Sequence, residues 1–305
     1  MTHLWPPGLG LALLVLCSPA ALAATQGRAE SGFPFDPVHA RAVALGGVGA
    51  ALPGVAFSFL NPAALAGERG AEVSHRASPT GARDYLISVG HGGAWGTIRL
   101  TARRRDWGEI ARDLGVDGLT AGEQSVALTL AKTVARGRLA WGASIARLDA
   151  DYVGAKTGTW AMDLGAQAQV GRGFALGVSL LHAGSGFSGG NGRAPLPRRI
   201  RSGAAWEGRV GRLELGAAAD LAMSPAFDSP PDLHGGAEVG GTWGAVTGAL
   251  RGGYRSLVNR DGSGSRQGAW ALGGGLRFAR VAADVAYTFG AVFGEDRFIS
   301  LTIRW

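Results

Sequence analysis

Cysteine, lysine and charge in general are scarce in this sequence. Cys17 is the single cysteine, and Lys132 and Lys156 are the only lysines. Charged residues make up 17% of the 305 residues, whereas glycine contributes 52. So little charge is a poor match for an ordinary soluble enzyme, and the glycines lack the triplet period of collagen. Because no Ser/Pro linker or charge block divides the chain, the sequence favours one large domain with small residues suited to a lipid-facing wall.

The N-terminal residues 1–23 predict a signal peptide. An apolar run from Leu9 ends in Ala21-Leu22-Ala23, a small-x-small cleavage site, and is too short for a membrane-spanning helix. A lipoprotein signal at Cys17 is the alternative, but the preceding Leu16 is large where a small residue is normally needed. Cleavage after Ala23 leaves a mature chain without cysteine, so disulfide and thiol chemistry are excluded from its mechanism.

The net charge of +7 comes almost entirely from arginine. The arginines are scattered singly through the chain, and Arg103-Arg104-Arg105 is the only tight cluster. Nucleic-acid binding usually needs a concentrated basic patch, so no nucleic-acid partner is expected. The acidic lipid groups of an outer membrane are a natural partner for this charge.

Residues 24–69 precede the strand-like part of the chain and predict a plug. The stretch from Arg41 to Ala66 is apolar and rich in glycine and alanine, but Pro53 and Asn61-Pro62 interrupt it, and it shows neither strict alternation nor a helical stripe. We expect it to fold into a barrel lumen on the short-turn side, with Asn61 capping the next short turn and Pro62 fixing its own φ. An amphipathic helix outside the pore is the alternative.

Residues 70–305 alternate apolar and polar positions with a period of two and predict about fourteen strands. The strands are expected near 70–78, 82–91, 94–103, 122–134, 137–148, 158–170, 173–183, 197–207, 211–222, 232–242, 244–255, 267–278, 280–289 and 296–305. Tight turns alternate with long polar loops at 104–121, 149–157, 184–196, 223–231, 256–266 and 290–295. This rhythm predicts an all-β fold, a transmembrane antiparallel up-and-down β-barrel, and does not fit a soluble β-sandwich.

The polar face of these strands carries too many charges for a dry core and is therefore predicted to line a wet or ion-paired lumen. The predicted lumen-facing charges are Asp163, Arg199, Arg201, Glu214, Asp220, Glu238, Arg251, Arg255, Arg277 and Asp284. Six aromatic residues near the short turns predict a girdle at the membrane interface: Trp141, Phe174, Trp206, Trp243, Phe278 and Trp305. The last strand, with Ile299, Leu301, Ile303 and Trp305 on one face, looks like the C-terminal signal through which the barrel-assembly machinery inserts such proteins in the outer membrane.

No motif in the sequence predicts catalysis. The run from Gly184 to Gly190 fits G-x-G-x-x-G and G-x-S-x-G, but it leads into a loop and not into the helix that both motifs need. The six histidines lack metal-ligand spacing. Lumenal acids such as Glu214, Asp220 and Glu238 are better explained by pairing with the lumenal arginines. We therefore expect no enzyme activity, no metal and no cofactor.

The plug motif carries a family resemblance. Gly46-Gly47, the small residues up to Ala51, and Asn61-Pro62-Ala63-Ala64-Leu65 resemble the N-terminal segment of PorV/PorQ proteins, relatives of the FadL-type outer-membrane barrels. Later landmarks follow in the same order at 196–198, 233–238 and 250–255. The family often carries acidic residues where this chain has Pro53-Gly54, so any role of those acids does not transfer.

The resemblance implies one of two functions. PorV/PorQ proteins work with a type IX secretion machine, which implies export or surface attachment with secretion components and exported proteins as partners. FadL-type barrels imply passive transport of hydrophobic molecules. The charged inner face argues against an apolar central conduit, so the sequence favours export, with a lateral route near Gly273-Gly274-Gly275 as the remaining way to transport.

The predicted fold leads to a simple test. We expect the detergent-extracted protein to give a β-dominated circular dichroism spectrum and to fractionate with the outer membrane, because its strands and not a helix would cross the bilayer. Substantial helix, or recovery in the soluble periplasmic fraction, would contradict the prediction.

Overall fold

The computed structural model describes residues 36–109, 120–152, 155–189, 192–196, 198–225, 230–258, 266–290 and 295–305. The predicted signal peptide and the first part of the predicted plug, 24–35, lie outside these residues, so their folds stay predictions. Among the described residues, no helix is both long and apolar enough to cross a membrane.

Fourteen antiparallel strands close into a barrel in which each strand pairs with its neighbours in an up-and-down order. The barrel strands are β1 (Gly70–Ala77), β2 (Arg83–Gly93), β3 (Gly96–Glu109), β4 (Thr120–Val134), β5 (Leu139–Tyr152), β6 (Ala155–Gly171), β7 (Phe174–Gly184), β10 (Arg199–Val210), β11 (Leu213–Met223), β12 (Asp232–Trp243), β13 (Val246–Val258), β14 (Arg266–Phe278), β15 (Val281–Phe289) and β16 (Arg297–Arg304). A separate hairpin of β8 (Phe187–Gly189) and β9 (Gly192–Ala194) lies in the connection between β7 and β10. The predicted fold class and strand number are confirmed.

Alternation along each strand explains why the sheet has two different faces. In β2, Tyr85, Ile87 and Val89 are exposed on the outside, whereas Leu86 and Ser88 between them are buried on the lumenal side. Closure pairs β1 with β16, which removes the free edges that an open sheet would present to lipid.

Short turns follow one end of the strands and longer connections mostly follow the other, as the sequence predicts. One predicted long loop, 149–157, is wrong: β5 continues to Tyr152 and β6 starts at Ala155. The register pairs Asp149 with Gly158 and Asp151 with Lys156, so polar residues extend this hairpin as strand. The sequence misled because polarity marks solvent exposure and not the absence of strand pairing.

The aromatic girdle at the short-turn end is present. Five of the six predicted residues are exposed on the outer surface, namely Trp141, Phe174, Trp243, Phe278 and Trp305. The sixth, Trp206, is half-buried. A second group of outward-facing aromatic residues lies towards the long-loop end, namely Tyr85, Trp160, Tyr254 and Trp270. Two aromatic belts separated by an apolar band are typical of membrane-spanning barrels.

The described part of the plug, residues 36–69, fills the lumen. It contains one short helix, α1 (Ala40–Ala44), and two 3₁₀ turns, Val55–Phe57 and Pro62–Leu65. Val48, Phe57 and Asn61 have no exposed surface, which contradicts the alternative of a helix outside the pore. The plug is not confined to the short-turn side, because Asp36 pairs with Arg105 near the long-loop end and only the following residues descend to Gly70 at the short-turn rim.

Lumen-facing glycines bring the plug backbone against the wall. A Cβ added at Gly177 would lie 1.8 Å from the carbonyl oxygen of Ala50, and a Cβ added at Gly165 would lie 1.9 Å from Asn61 Oδ1. The same kind of clash with the plug would arise at Gly142, Gly236, Gly253 and Gly273. These six glycines sit on six different strands, and we call them the glycine ring. The close approach of two backbones therefore explains why these six positions are glycine.

Replacing a member of the glycine ring should weaken the packing of the plug against the barrel wall. We expect Gly177→Ala to lower the free energy of unfolding by about 1–3 kcal/mol, because the methyl group overpacks a filled lumen. The measurement is the temperature at which the compact, heat-modifiable band disappears on a gel. Gly216→Ala is the matched control, because its added Cβ would meet nothing closer than 3.9 Å. Equal behaviour of the two variants would contradict the ring's role.

Candidate functional site

Asp220 on β11 holds the centre of the plug. Its Oδ2 accepts hydrogen bonds from the backbone N–H groups of Gly49 at 2.7 Å and Ala50 at 3.0 Å. Arg201 on the neighbouring strand donates to the same Oδ2 at 2.9 Å and to the carbonyl oxygen of Gly47 at 2.7 Å. The pair thus satisfies plug backbone groups that have no secondary-structure partner, and the donors in turn compensate the buried carboxylate.

Asn61 fixes the second half of the plug. Its Oδ1 accepts from the N–H of Ala63 at 3.0 Å and caps the Pro62–Leu65 turn, so the predicted cap is confirmed. Its Nδ2 donates to the carbonyl oxygens of Ala50 at 2.6 Å and Ala166 at 3.1 Å. One amide therefore ties two parts of the plug to the barrel wall.

The two glycines of the plug motif contact β12 and β13. Gly46 and Gly47 have positive φ values of 71° and 77°, a conformation that favours glycine. The Gly46 carbonyl oxygen lies 2.8 Å from His234 Nδ1. A Cβ on Gly46 would be 2.6 Å from the Tyr254 carbonyl oxygen, so both its conformation and its contacts exclude a side chain.

His39 caps α1 from inside the lumen. Its Nδ1 accepts from the N–H of Arg41 at 3.1 Å, and its Nε2 lies 3.4 Å from Thr302 Oγ1. Burial, together with the nearby cations Arg41, Arg251 and Arg304, lowers the pKa of His39 from 6.5 to about 3. His39 is therefore neutral at physiological pH, and this leaves Nδ1 free to accept the capping hydrogen bond.

An arginine cluster lies in the half of the lumen near the long loops. Asp84 forms ion pairs with Arg76 at 3.1 Å, Arg103 at 3.6 Å and Arg105 at 2.7 Å. Arg105 also reaches Asp36 of the plug at 3.1 Å. The start of the described plug is thus tied to the wall by charge, in addition to the backbone anchors below it.

A second charged chain crosses from the plug to β15. Arg41 pairs with Glu238 at 3.0 Å, Glu238 pairs with Arg251, and Arg251 pairs with Asp284 at 2.6 Å. Removing one member would leave a buried charge without compensation, which is costly. The centre of the lumen therefore offers no continuous apolar path past the plug.

The other predicted lumenal charges occupy three different settings. Arg199 pairs with Asp232 at 2.8 Å, and Asp163 accepts from the N–H of His182 at 2.6 Å. Glu214 pairs with Arg209 at the exposed short-turn rim. The remaining two residues line cavities. Arg255 lines a cavity of about 30 Å³ beside Asp36. Arg277 lines a cavity of about 180 Å³ that opens between the plug and the short-turn end. The structure thus brings Arg201, Asp220, Glu238, Arg251 and Asp284 to the plug or its immediate partners. Glu214 lines the second cavity together with Arg277.

Sequence reasoning missed five of the most buried charges. Arg99, Arg103 and Arg105 on β3 point inward, and Glu72 and Asp84 face them from β1 and β2. The signal was present in the alternation for Arg99, which lies between the outward-facing Ile98 and Leu100. Arg105 fell in the predicted loop 104–121, whereas β3 continues to Glu109. The last strand carries Ile299, Leu301, Ile303 and Trp305 on its exposed outer face. Their role as an insertion signal stays a prediction.

One buried apolar cluster contains no plug residue. It consists of Ala146, Leu148, Ala161 and Leu196, flanked by Ala127 and Phe187, and we call it the outer apolar cluster. The three other apolar clusters among the described residues all include the plug. The outer apolar cluster lies towards the long-loop end, where Leu196 and Phe187 of the β7 to β10 connection cover it.

The wall beside the outer apolar cluster is irregular. The pairing of β6 with β7 shifts between Met162 and Leu164, where His182 adopts a φ of 57°. The His182 N–H donates to the Asp163 side chain at 2.6 Å. A β-bulge of this kind weakens the ladder locally. The Gly273–Gly275 run, by contrast, is regularly paired with β13 and β15, and Gly273 contacts Ala44 of the plug, so it forms no opening.

No family model and no curated protein matches this sequence. Solved structures do match. CymD, a monoaromatic hydrocarbon channel, superposes with a TM-score of 0.62 at 13% identity over 88% of this chain and 97% of CymD. The toluene transporter TbuX of Ralstonia pickettii gives 0.56 at 14% identity over 90% of this chain and 100% of TbuX. A Pseudomonas aeruginosa FadL homologue gives 0.55 at 12% identity over 87% of this chain and 97% of that chain.

The fold is FadL-like. It is that of outer-membrane β-barrels, and these three solved neighbours are a channel, a transporter and a FadL homologue. Identities this low establish the fold alone. The comparisons lend no support to the PorV/PorQ resemblance in particular or to the type IX association that it implies. Among the described residues, no group of three or more side chains could hold a metal ion.

The burial of His39, the N-cap of α1, predicts that the stability of the folded protein depends on pH. Because the pKa of His39 is about 3 in the folded protein, an unfolded chain takes up the proton first. The contribution of His39 to stability should be complete above about pH 6.5 and decrease as the pH falls towards 3. We expect His39→Gln to flatten the pH dependence of the thermal midpoint between pH 7.5 and 4.5. Identical profiles for the variant and the unaltered protein would contradict the prediction.

Proposed function

We propose that this protein carries small hydrophobic molecules passively across the outer membrane. The observation that carries the proposal is the outer apolar cluster, the one buried apolar cluster among the described residues that the plug does not occupy. It offers an apolar site at the long-loop end, which faces outward in barrels of this kind. The neighbours named as monoaromatic hydrocarbon channel and toluene transporter support small aromatic hydrocarbons as the substrate class.

The route from this site leads sideways and not down the lumen. Below it, buried ion pairs and the seated plug obstruct an apolar solute, since passing them would desolvate charges. The β-bulge between β6 and β7 adjoins the cluster. At this bulge the Asp163 side chain accepts a hydrogen bond from the His182 N–H. A solute leaving there would enter the apolar part of the membrane without crossing the charged lumen.

Export or surface attachment of proteins is the second candidate function. It is favoured by the charged chain from Arg41 to Asp284, because a barrel whose centre is closed by ion pairs needs no conduit to hold a partner at its rim. Its partners would be secretion components and exported proteins. In either function the protein would reach the outer membrane through a cleaved signal peptide and the barrel-assembly machinery.

Uptake by intact cells distinguishes the two functions. The probe is radiolabelled toluene, given to a host strain that lacks its own hydrocarbon channels. Expression of the protein should raise the initial uptake rate, and Leu148→Ser with Leu196→Ser should reduce that gain at least about fivefold, because each buried leucine contributes about 1.5–3 kcal/mol to an apolar site.

The matched control is Leu233→Ser, a lipid-facing leucine on β12 that is 44% exposed. It should leave the uptake rate unchanged at equal amounts of folded barrel. No gain over the empty host, together with an altered set of surface proteins in a deletion strain, would overturn the transport proposal and support export.

A further inference from the structure

The short-turn end of β4 to β7 carries a cluster of cations. Lys132 lies near the end of β4, Arg136 and Arg138 lie in the turn to β5, and Arg172 lies in the turn between β6 and β7. The three arginines are exposed and Lys132 is half-buried. The Gln169 N–H near the end of β6 donates to the Arg138 carbonyl oxygen at 2.8 Å, so the two turns adjoin. We call the four cations the basic arc.

No carboxylate of the described chain balances the basic arc. The turns at this end of β2 to β7, and the three strand residues nearest to each turn, contain no aspartate or glutamate. The Glu207 N–H on the adjoining β10 donates to the Gly173 carbonyl oxygen at 2.9 Å, but the alternation of β10 places the Glu207 side chain on the lumenal face. Among the described residues, no carboxylate is within ion-pair distance of any of the four cations. The arc is therefore open to an anion from outside the protein.

Lys132 shows that the basic arc borders the membrane. It shares the outer, lipid-facing side of β4 with the exposed Leu130 and Val134 and is directly paired with Trp141 of the aromatic girdle. A lysine in this position can lay its apolar stem along the wall and extend its ammonium group to the level of the headgroups. An ammonium group held there favours an anionic lipid group as its neighbour.

The arginines lie at the same level as Lys132. Arg138 is three residues from the exposed Trp141, and Arg172 is two residues from the exposed Phe174, which corresponds to about 7–10 Å of strand. Girdle aromatics mark the boundary between the apolar part of the membrane and its headgroups. Short turns face the periplasm in barrels of this kind. The basic arc therefore lies at the headgroup level of the inner leaflet.

The opposite end of the same strands is different. The outer faces of β3 to β6 at the long-loop end carry cations and carboxylates in equal number among the described side chains, namely Arg104, Arg147, Lys156, Asp106, Asp149 and Asp151. Elsewhere along the short-turn rim, Arg209 pairs with Glu214 and Arg304 pairs with Glu68 at 3.6 Å. The turn between β12 and β13 has no charged residue. Four cations without a carboxylate on neighbouring strands are thus a local feature of β4 to β7.

We propose that the basic arc binds the phosphate groups of anionic phospholipids in the inner leaflet, with the acyl chains lying against the apolar wall above it. Guanidinium groups suit this ligand because their planar donors match phosphate oxygens. A lipid fits the arc better than an acidic periplasmic protein does, because Lys132 is on the lipid-facing wall and the arginines adjoin girdle residues.

Native mass spectrometry of the detergent-solubilised full-length protein tests the site, with phosphatidylglycerol as the probe. Lys132→Gln, Arg138→Gln and Arg172→Gln combined should weaken binding about a hundredfold, since each cation near an anionic lipid group contributes about fivefold. Lys132→Arg alone should retain the affinity, because it keeps the charge. Phosphatidylethanolamine with the same acyl chains should bind the unaltered protein more weakly than phosphatidylglycerol does. The heat-modifiable band verifies folding of each variant.

The matched control combines Arg83→Gln, Arg104→Gln and Arg297→Gln. It removes the same charge from exposed positions at the long-loop ends of β2, β3 and β16 and should leave the affinity for phosphatidylglycerol unchanged. Equal weakening in this control, or equal affinity of the triple variant and the unaltered protein, would overturn the proposal.

Two further results would assign the basic arc to another ligand and overturn the proposal. Displacement of phosphatidylglycerol by millimolar inorganic phosphate would make it a free-phosphate site. Unchanged lipid binding in the triple variant, together with loss of a bound acidic periplasmic protein, would make it a protein-docking site.

Discussion

The structure depends on one constraint: an irregular backbone has to be buried inside a closed sheet. Only 12 of the 34 plug residues from 36 to 69 lie in α1 or a 3₁₀ turn, so many of the other N–H and C=O groups have no helical partner. Such groups are expensive to bury unpaired. Wall side chains meet the need, with Asp220 accepting from two N–H groups, Arg201 donating to one carbonyl and Ser179 donating to the Leu60 carbonyl oxygen at 2.6 Å.

Space is the other half of the same constraint. Backbone anchors work only if the plug lies directly against the wall, and side chains at the glycine ring would hold it away. The small wall residues and the polar anchors are therefore two parts of one arrangement. Gln167 shows the combination, because it reaches past the ring to the carbonyl oxygens of Ala50 and Leu52, both at 3.0 Å.

Closing the lumen in this way limits what the barrel can do. The anchors and ion pairs lie on many strands around the plug, so opening the centre would break several buried polar contacts at once. In the proposed transport, the solute would use the apolar cluster near the long loops and the bulged seam beside it. The proposed transport therefore uses the periphery of the barrel and not its axis.

The alternation of residues determined a large part of this fold from the sequence alone. Period-two patterning, tight glycine turns and an apolar outer face fixed the class, the number of strands and the inward direction of residues such as Arg201 and Glu238, because each of these properties is local. Burial of the 41–66 stretch was also predictable, since its apolar residues had to leave water. The sequence could not show that Asp220 would bond to Gly49, 171 positions away, or that Gly177 faces Ala50. It also placed a loop where β5 and β6 continue as paired strands. Those features depend on barrel closure, which fixes the stagger of the strands and brings distant residues to the same height, and only the tertiary structure decides that.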